Sequence, residues 1–315
     1  MRLSAAWRSA YALALSATLF ATLALLPPAA AATEVRVVAS FSILADMVKQ
    51  VGGEHVEVTP LIGTDSDAHS YSPSPGDVRT LSQADVVVFN GLNFEGWMER
   101  LLKTSDYRGR KVVATEGIEP LEHAGHNDGH DRDSADPHAW QDMNRAKTYV
   151  ANIRDGLVSA DGDNVADYRA NADDYLARMD EADADIRQRL EAIDEDTAVI
   201  TGHASFGYFA DAYGLRFLAP EGLATSSAPS AARMAELIDV IEAQNVRALF
   251  YENMASPNTI DQLAEESGLS IAGTLYADAL TSEGEAASYI GMMRHNARVL
   301  HEALAGRADK GPADD

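Results

Sequence analysis

The sequence predicts an α/β protein of two Rossmann-like lobes, each with a parallel sheet, joined by a long backbone helix. In both halves of the chain, short runs rich in Val and Ile alternate with segments of helical periodicity, which is typical of parallel sheets covered by helices. Between the halves, Asp163 to Asp194 carries apolar side chains three or four residues apart, the pattern of one long amphipathic helix.

Length and composition limit the class of protein. A chain of 315 residues suggests about two domains of ~150 residues, and 46% hydrophobic with 23% charged residues is typical of a globular protein. The 49 acidic against 25 basic residues exclude nucleic acid as a partner, because its binding needs clustered positive charge. The absence of cysteine excludes disulfides and thiolate metal sites, so any metal site must use His, Asp and Glu.

Residues 1–32 are predicted to be a signal peptide. Arg2 and Arg8 precede an uncharged apolar run, Ala10 to Leu26, and a run of small residues follows it. The alternative is a membrane anchor, but the apolar run is slightly short of the ~20 residues that a span needs. We therefore expect an exported protein whose signal peptide is cleaved. Without a cysteine to modify, we expect it not to be lipid-anchored.

The N-terminal lobe is assigned to residues 33–160. Its β-branched runs predict strands that alternate with segments of helical spacing. The strands are expected at Val35–Ser40, His55–Leu61, Asp85–Gly91 and Lys111–Ala114. The helices are expected at Ile43–Val51, Pro75–Ser82, Glu95–Leu102 and Trp140–Leu157. Residues 121–136 interrupt this lobe with a His- and Asp-rich segment that has no apolar period, so it is predicted to be a loop.

The linker helix is assigned to residues 161–195 and the C-terminal lobe to residues 196–305. At 1.5 Å per residue, the roughly thirty helical residues between Asp163 and Asp194 would span about 45 Å. Strands are expected in the second lobe at Thr197–Thr201, Arg216–Leu218, Val246–Tyr251 and Ser270–Leu275. Helices are expected at Phe206–Tyr213, Ala231–Gln244, Pro257–Ser267 and Glu283–Leu304. Residues 306–315 are predicted to be a disordered tail.

Four ionisable side chains follow predicted strands or the acidic loop, where ligands collect in open α/β sheets. They are His69, His138, His203 and Asp278. Three imidazoles and a carboxylate suit Zn²⁺, whereas Mg²⁺ or Ca²⁺ would need more oxygen ligands. Any one of these histidines taken alone is more often a surface or capping residue. Glu116 and Glu252 also follow strands and could orient a ligand histidine, although a solvated carboxylate is the more common role.

Three motifs together resemble a known family. They are Gly63-Thr64-Asp65-Ser66-Asp67-Ala68-His69-Ser70-Tyr71, Asp136-Pro137-His138-Ala139-Trp140 and Gly202-His203-Ala204-Ser205-Phe206. Their combination is similar to the periplasmic zinc/manganese solute-binding proteins of ABC transporters (cluster A-I), and most to the zinc-specific, AztC-like members. The resemblance covers nearly all of the chain after the signal peptide. One departure is Ala68, where many relatives have proline before the histidine.

The resemblance implies that His69, His138, His203 and Asp278 hold one metal ion between two lobes. A histidine at the third position implies zinc, and a glutamate there would imply manganese. On this basis the protein is expected to be a periplasmic monomer and not an enzyme. It would capture Zn²⁺ and deliver it to the membrane permease of an ABC importer. A periplasmic protein that donates zinc is a further candidate partner.

Three alternatives stay open beside zinc transport. A manganese or iron carrier or an adhesin could use the same fold. A zinc hydrolase would need an open coordination position and a general base, and four protein ligands would close the site.

The loop histidines His123, His126 and His130 are predicted to capture metal weakly, although an acidic solvated linker would also explain them.

Overall fold

The computed structural model describes residues 34–122, 135–195, 197–225, 229–244 and 246–305. In the first lobe, four parallel strands form one sheet in the order β2-β1-β3-β4. These strands are β1 (Val35–Ala39), β2 (Val56–Pro60), β3 (Val86–Phe89) and β4 (Arg110–Val113). Most of their valines are buried, on both faces of the sheet, as expected for a parallel sheet between layers of helices.

The helices of this lobe lie close to their predicted positions. They are α1 (Ser42–Gly52), α2 (Pro75–Gln83), α3 (Met98–Thr104) and α4 (Met143–Ala160). Helix α2 begins with a capping box, in which Ser74 and Asp77 bond each other's backbone N–H groups. Helix α4 is preceded by a 3₁₀ turn, Ala139–Gln141, and Asp142 caps it by accepting from the Asn144 N–H.

The second lobe repeats the topology of the first. Four parallel strands form a sheet in the order β6-β5-β7-β8. They are β5 (Ala198–Ile200), β6 (Arg216–Leu218), β7 (Val246–Glu252) and β8 (Ile271–Leu275). The helices are α6 (Gly207–Tyr213), α7 (Ala231–Ala243), α8 (Asn258–Ser267) and α9 (Tyr289–Leu304). The equal strand order gives each lobe a switch point beside its first strand, where ligands collect.

The linker is a single helix, α5 (Val165–Leu190), of 26 residues. Its length is about 39 Å at 1.5 Å per residue. One stripe of its surface is buried against helices of both lobes, as the apolar spacing predicted: Tyr168, Ala172, Tyr175, Met179, Ala182, Ile186 and Leu190. The predicted fold class of two α/β lobes and a long connecting helix is therefore confirmed.

One hydrophobic core extends through both lobes. The same cluster of buried side chains includes Val37 and Trp140 of the first lobe, Met179 of the linker, and Phe250 and Tyr289 of the second lobe. A smaller cluster fills the outer part of the second lobe, around Ile200, Leu237, Leu249 and Leu263. The two lobes are thus parts of one packed body rather than two independently packed units.

Several predictions concern residues outside the described ranges. The signal peptide, most of the loop 121–136 and the tail 306–315 belong to this group. The limits assigned to the two lobes also stay a prediction. Within the described ranges, no helix combines the length and apolarity that crossing a membrane would require.

Candidate metal centre

The structure brings together the four side chains that the sequence singled out. His69 lies in the connection between β2 and α2, and His138 immediately precedes the 3₁₀ turn before α4. His203 follows β5, and Asp278 follows β8. One candidate ligand atom from each residue lies within 4.8 Å of all the others. The loop histidines His123, His126 and His130 lie outside the described residues.

The separations between these atoms match the spacing around a small cation. Oδ2 of Asp278 is 3.1 Å from Nε2 of His69 and 3.1 Å from Nε2 of His203. Nε2 of His138 is 3.3 Å from Nε2 of His69 and 3.7 Å from Oδ1 of Asp278. A tetrahedral ion with bonds of about 2.1 Å separates its ligand atoms by about 3.4 Å. The four donors therefore enclose a volume that fits one ion.

Burial distinguishes this cluster from an ordinary surface group. His138, His203 and Asp278 are fully buried, and the side chain of His69 is 5% exposed. Nε2 of His203 and both carboxylate oxygens of Asp278 have no hydrogen-bond partner. Because a buried polar atom is costly when it is left unpaired, these atoms indicate a ligand that all of them share.

Two carboxylates accept hydrogen bonds from Nδ1 of two of the imidazoles. Nδ1 of His138 donates to Oδ1 of Asp136 at 2.7 Å, and Nδ1 of His203 donates to Oε2 of Glu252 at 2.5 Å. The same carboxylates accept the backbone N–H groups of His138 and His203 at 2.9 and 3.1 Å. When Nε2 carries no proton, the hydrogen bond made by Nδ1 leaves the Nε2 lone pair directed toward the centre, as a metal ligand requires. The exposed Glu116 has no such role.

The His69 loop is held differently. Its backbone N–H donates to Oδ1 of Asp67 at 2.8 Å, and Oδ2 of Asp67 accepts from the Thr225 hydroxyl of the second lobe at 2.6 Å. The indole N–H of Trp97 donates to the Ala68 carbonyl at 3.2 Å. Backbone contacts and one inter-lobe hydrogen bond therefore fix this ligand.

The Asp278 loop is tied to the first lobe. The indole N–H of Trp140 and the amide of Gln141 both donate to the Ala277 carbonyl, each at 2.9 Å. The Trp140 ring also packs against His138, with ring centroids 5.2 Å apart. Residues next to one ligand thus fix the peptide that precedes another.

The ionisation states follow from burial and from the mutual charges. Burial lowers the pKa of His69. Burial opposes ionisation of Asp278, but the imidazoles of His203 and His138 outweigh it and hold the pKa of this carboxyl well below its usual range. Burial likewise opposes protonation of His203, but Glu252 and Asp278 outweigh it and hold its pKa well above the usual range. The site is therefore a buried carboxylate surrounded by groups that compensate its charge.

Sequence reasoning missed Asp136 and Asp67 as supporting residues. Each stands two positions before a ligand histidine, in Asp-Pro-His and Asp-Ala-His. That shared spacing was the available signal, because a carboxylate at this position can accept the backbone N–H two residues later. Both residues do so here, at 2.9 and 2.8 Å.

Residues 37–303 match the family model described as ZnuA, zinc-uptake complex component A, periplasmic. The manganese-binding lipoprotein MntA of Halalkalibacterium halodurans is 33% identical over 273 residues, covering 86% of this chain and 88% of that protein. The iron ABC transporter substrate-binding lipoprotein MtsA of Streptococcus pyogenes serotype M1 is 28% identical over 280 residues, covering 86% and 89%.

Solved structures agree with the architecture. The periplasmic zinc-binding protein TroA from Treponema pallidum superposes with a TM-score of 0.80 at 26% identity, covering 86% of this chain and 99% of that one. The manganese-bound periplasmic metal-binding protein from Candidatus Liberibacter asiaticus superposes with a TM-score of 0.75 at 26% identity, covering 85% and 99%.

These relatives correct one prediction. The expectation of a periplasmic protein that is not lipid-anchored is contradicted, since the matched relatives MntA and MtsA are named lipoproteins, which are held at a membrane by lipid. The prediction relied on the absence of cysteine. That absence excludes one chemical means of attachment and does not determine where a protein of this kind works.

Proposed function

We propose, because the chain belongs to the ZnuA family of zinc-uptake component A proteins, that it captures Zn²⁺ between its lobes and delivers it to the permease of an ABC importer. Members of this family are metal-binding substrate-binding proteins of ABC transporters and not enzymes. The observation that supports a metal here is the convergence of four buried donors, three of whose atoms have no other partner.

The donor set supports zinc as the cargo. Imidazole nitrogens are preferred by Zn²⁺, and three of them with one carboxylate form a closed tetrahedral set. Manganese has a stronger preference for oxygen ligands and usually takes more of them. The zinc-specific, AztC-like assignment therefore rests on His203, since a carboxylate at this position would shift the site toward a harder metal.

A manganese or iron cargo is the second candidate. Relatives that match 86% of this chain are named for manganese and for iron. The candidates are separated by titrating the metal-free protein with Zn²⁺ and Mn²⁺ alone and in competition, with the bound metal counted by elemental analysis. One tightly held zinc that excess manganese does not displace supports the zinc proposal. Displacement by equimolar manganese would reassign the cargo.

The ligand assignment is tested with His138→Ala. We expect zinc affinity to fall by more than the ~10–100-fold that loss of a supporting residue causes, because a donor itself is lost. His55→Ala is the matched control, since Nε2 of His55 also contacts a carboxylate, Asp167 at 2.9 Å, on the surface of the first lobe. Unchanged zinc affinity in His138→Ala would remove this residue from the site.

Weak capture of metal by His123, His126 and His130 is a separate proposal. Glu122 and Ala135 form an antiparallel bridge, so a two-residue Asn-Gly turn can replace residues 123–134 and keep this pairing. We expect the deletion variant to keep one tight zinc and to lose additional weak sites. Weak sites that persist in the deletion variant would contradict a capturing role for these histidines.

A further inference from the structure

Tyr208 of helix α6 connects the second lobe to the segment that carries His138. Its hydroxyl donates to the Asp136 carbonyl at 2.9 Å and accepts the Leu121 N–H at 3.0 Å. The Asp136 N–H in turn donates to the Leu121 carbonyl at 2.8 Å. Three hydrogen bonds thus form a closed ring between Leu121, Asp136 and Tyr208, and the phenol is the only member from the second lobe.

This ring fixes the residue that orients His138. The backbone N–H and C=O of Asp136 are both used in the ring, and its Oδ1 accepts both the backbone N–H and Nδ1–H of His138. Its Oδ2 lies against Gly207, where an added Cβ would be only 2.5 Å away. Helix α6 therefore contacts Asp136 through the Tyr208 hydroxyl and the bare backbone of Gly207.

The Tyr208 ring is itself held rigidly. The residue is fully buried, and the Arg145 guanidinium lies over its ring at 4.9 Å from the centroid. Arg145 is held by Asp142, which caps α4, at 3.1 Å, and by Asp211 of α6 at 2.9 Å. The phenol thus has a single position from which it can bond Leu121 and Asp136.

We infer that Tyr208 is a positioning residue for metal binding, which sets the orientation of His138 through Asp136 from the opposite lobe. The inference rests on the proposed function and adds a residue that touches no ligand atom. Helix α6 begins four residues after His203, so one short segment of the second lobe supplies a ligand and orients a ligand of the first lobe. The two lobes are thereby coupled at the site.

Tyr208→Phe in the full chain tests this inference. The change removes one hydroxyl and leaves the Asp136 carbonyl and the Leu121 N–H without their partner. We expect one zinc to bind per chain, as in the wild type, and the rate at which a chelator removes it to rise about tenfold, which corresponds to about 1.4 kcal/mol. In Asp136→Ala, which removes the Oδ1 that orients His138, adding Tyr208→Phe should change this rate less than twofold, because the phenol acts through Asp136.

Tyr213→Phe is the matched control. Its hydroxyl lies on the same helix and donates to Oδ1 of Asp183 at 2.8 Å, away from the metal donors. We expect its zinc dissociation rate to stay within twofold of the wild type. Equal dissociation rates in Tyr208→Phe and Tyr213→Phe would overturn the inference, since a general loss of stability would then explain any change.

Amide hydrogen exchange on the metal-free protein separates this inference from the proposed function. Tyr208→Phe should speed exchange of the Asp136 and His138 N–H groups, and Tyr213→Phe should not. Failure of the wild type to bind zinc would reject the proposed function, while faster exchange in Tyr208→Phe would still support positioning by Tyr208. Unchanged exchange in Tyr208→Phe would reject positioning by Tyr208. Gly207→Ala, which displaces Asp136 directly, should give the same result and decides the question if Tyr208→Phe does not fold.

Discussion

At the scale of single residues, the donors are arranged by carboxylates that do not touch the metal. Glu252 accepts both the backbone N–H and Nδ1–H of His203, and Asp136 does the same for His138. Each thereby fixes both the position of the ring and the nitrogen that carries the proton. Loss of such a group should weaken metal binding without removing a ligand.

Glu252→Gln is expected to lower zinc affinity about 10–100-fold while one zinc still binds per chain. The amide keeps the shape of the side chain but lacks the charge that stabilises the Nδ1–H bond. Competition with a chelator of known affinity measures the change. Glu99→Gln, at an exposed position, is the control and should bind zinc as the wild type does. A similar affinity in both variants would show that Glu252 does not support His203.

Glu221 gives the stability a dependence on pH. Burial, with Glu252 and Asp67 nearby, raises its pKa from 4.5 to about 7, and His203 opposes this shift. The folded state therefore holds a proton that the unfolded state releases, so its stabilising effect is complete below pH 4.5 and is lost as pH rises through about 7.

Glu221→Gln should remove this loss. The difference in free energy of unfolding between the variant and the wild type should rise by about 1 kcal/mol from about pH 5 to about pH 8. This value is smaller than the full pKa shift would give, because the carboxyl is only half-buried and solvent screens it. Urea denaturation of metal-free protein at both pH values measures it. Glu99→Gln should show no such rise. A constant difference between Glu221→Gln and wild type would contradict the prediction.

The sequence predicted the four donors but not all of their supports. His69, His138, His203 and Asp278 were singled out because they follow predicted strands or the acidic loop, where ligands collect in open α/β sheets, and because the family resemblance implies them. Asp136 was not, because its spacing from His138 predicts only the bond to the backbone N–H and not the bond to Nδ1. The hydrogen bonds of Tyr208 join parts of the chain 72 and 87 residues apart, and no local pattern predicts such a contact.

At the scale of elements, α4 packs so closely on β4 that only glycine fits at the contact. A Cβ on Gly156 would lie 2.3 Å from Cγ2 of Val112. Two effects oppose each other for Gly156→Ala. Helix propensity would stabilise the variant by about 1 kcal/mol, and forcing the sheet and helix apart would cost about 1–3 kcal/mol.

We expect the packing cost to prevail, so Gly156→Ala should unfold at a lower urea concentration than wild type, by a net ~1 kcal/mol. Gly162→Ala is the matched control, because a Cβ there meets no atom within 4 Å. It should leave the midpoint nearly unchanged. A Gly156→Ala variant as stable as the wild type would show that the contact between α4 and β4 can relax.

Element positions followed the sequence closely, and the differences have identifiable causes. Helix α3 begins at Met98 rather than at the predicted Glu95. Glu95 is buried and its carboxylate accepts the N–H groups of Asn90 and Gly91 at 2.7 and 3.2 Å, which holds the preceding turn in a non-helical path. Side-chain-to-backbone hydrogen bonds within this turn, rather than helix propensity, thus set where this helix begins.

At the scale of the whole molecule, the shared core and α5 limit the movement of the lobes. The same hydrophobic cluster includes side chains of both lobes and of the linker. Inter-lobe bonds also flank the donors, from Thr225 to Asp67 and from Asn253 to Asp65. Wide opening would break both kinds of contact, so we expect capture and release to involve rearrangement of loops.

Small-angle X-ray scattering tests this expectation. Profiles of the metal-free and zinc-loaded protein should superpose, because separating the lobes would open the hydrophobic core that they share, at a high cost in free energy. Profiles of Tyr208→Phe should superpose on them as well, since its effect is local. A marked compaction when zinc is added to the wild type would contradict the prediction and indicate hinged lobes.

The indole contacts beside the four candidate ligands place two intrinsic fluorophores next to the proposed zinc site. Zn²⁺ is a closed-shell d¹⁰ ion, so it gives no colour by which its binding could be followed. Two of the three tryptophans, Trp97 and Trp140, donate their N–H to the carbonyls of Ala68 and Ala277, directly before two of the donors. We therefore expect the ultraviolet emission of the unlabelled chain to change when zinc binds, so that binding can be timed by fluorescence alone.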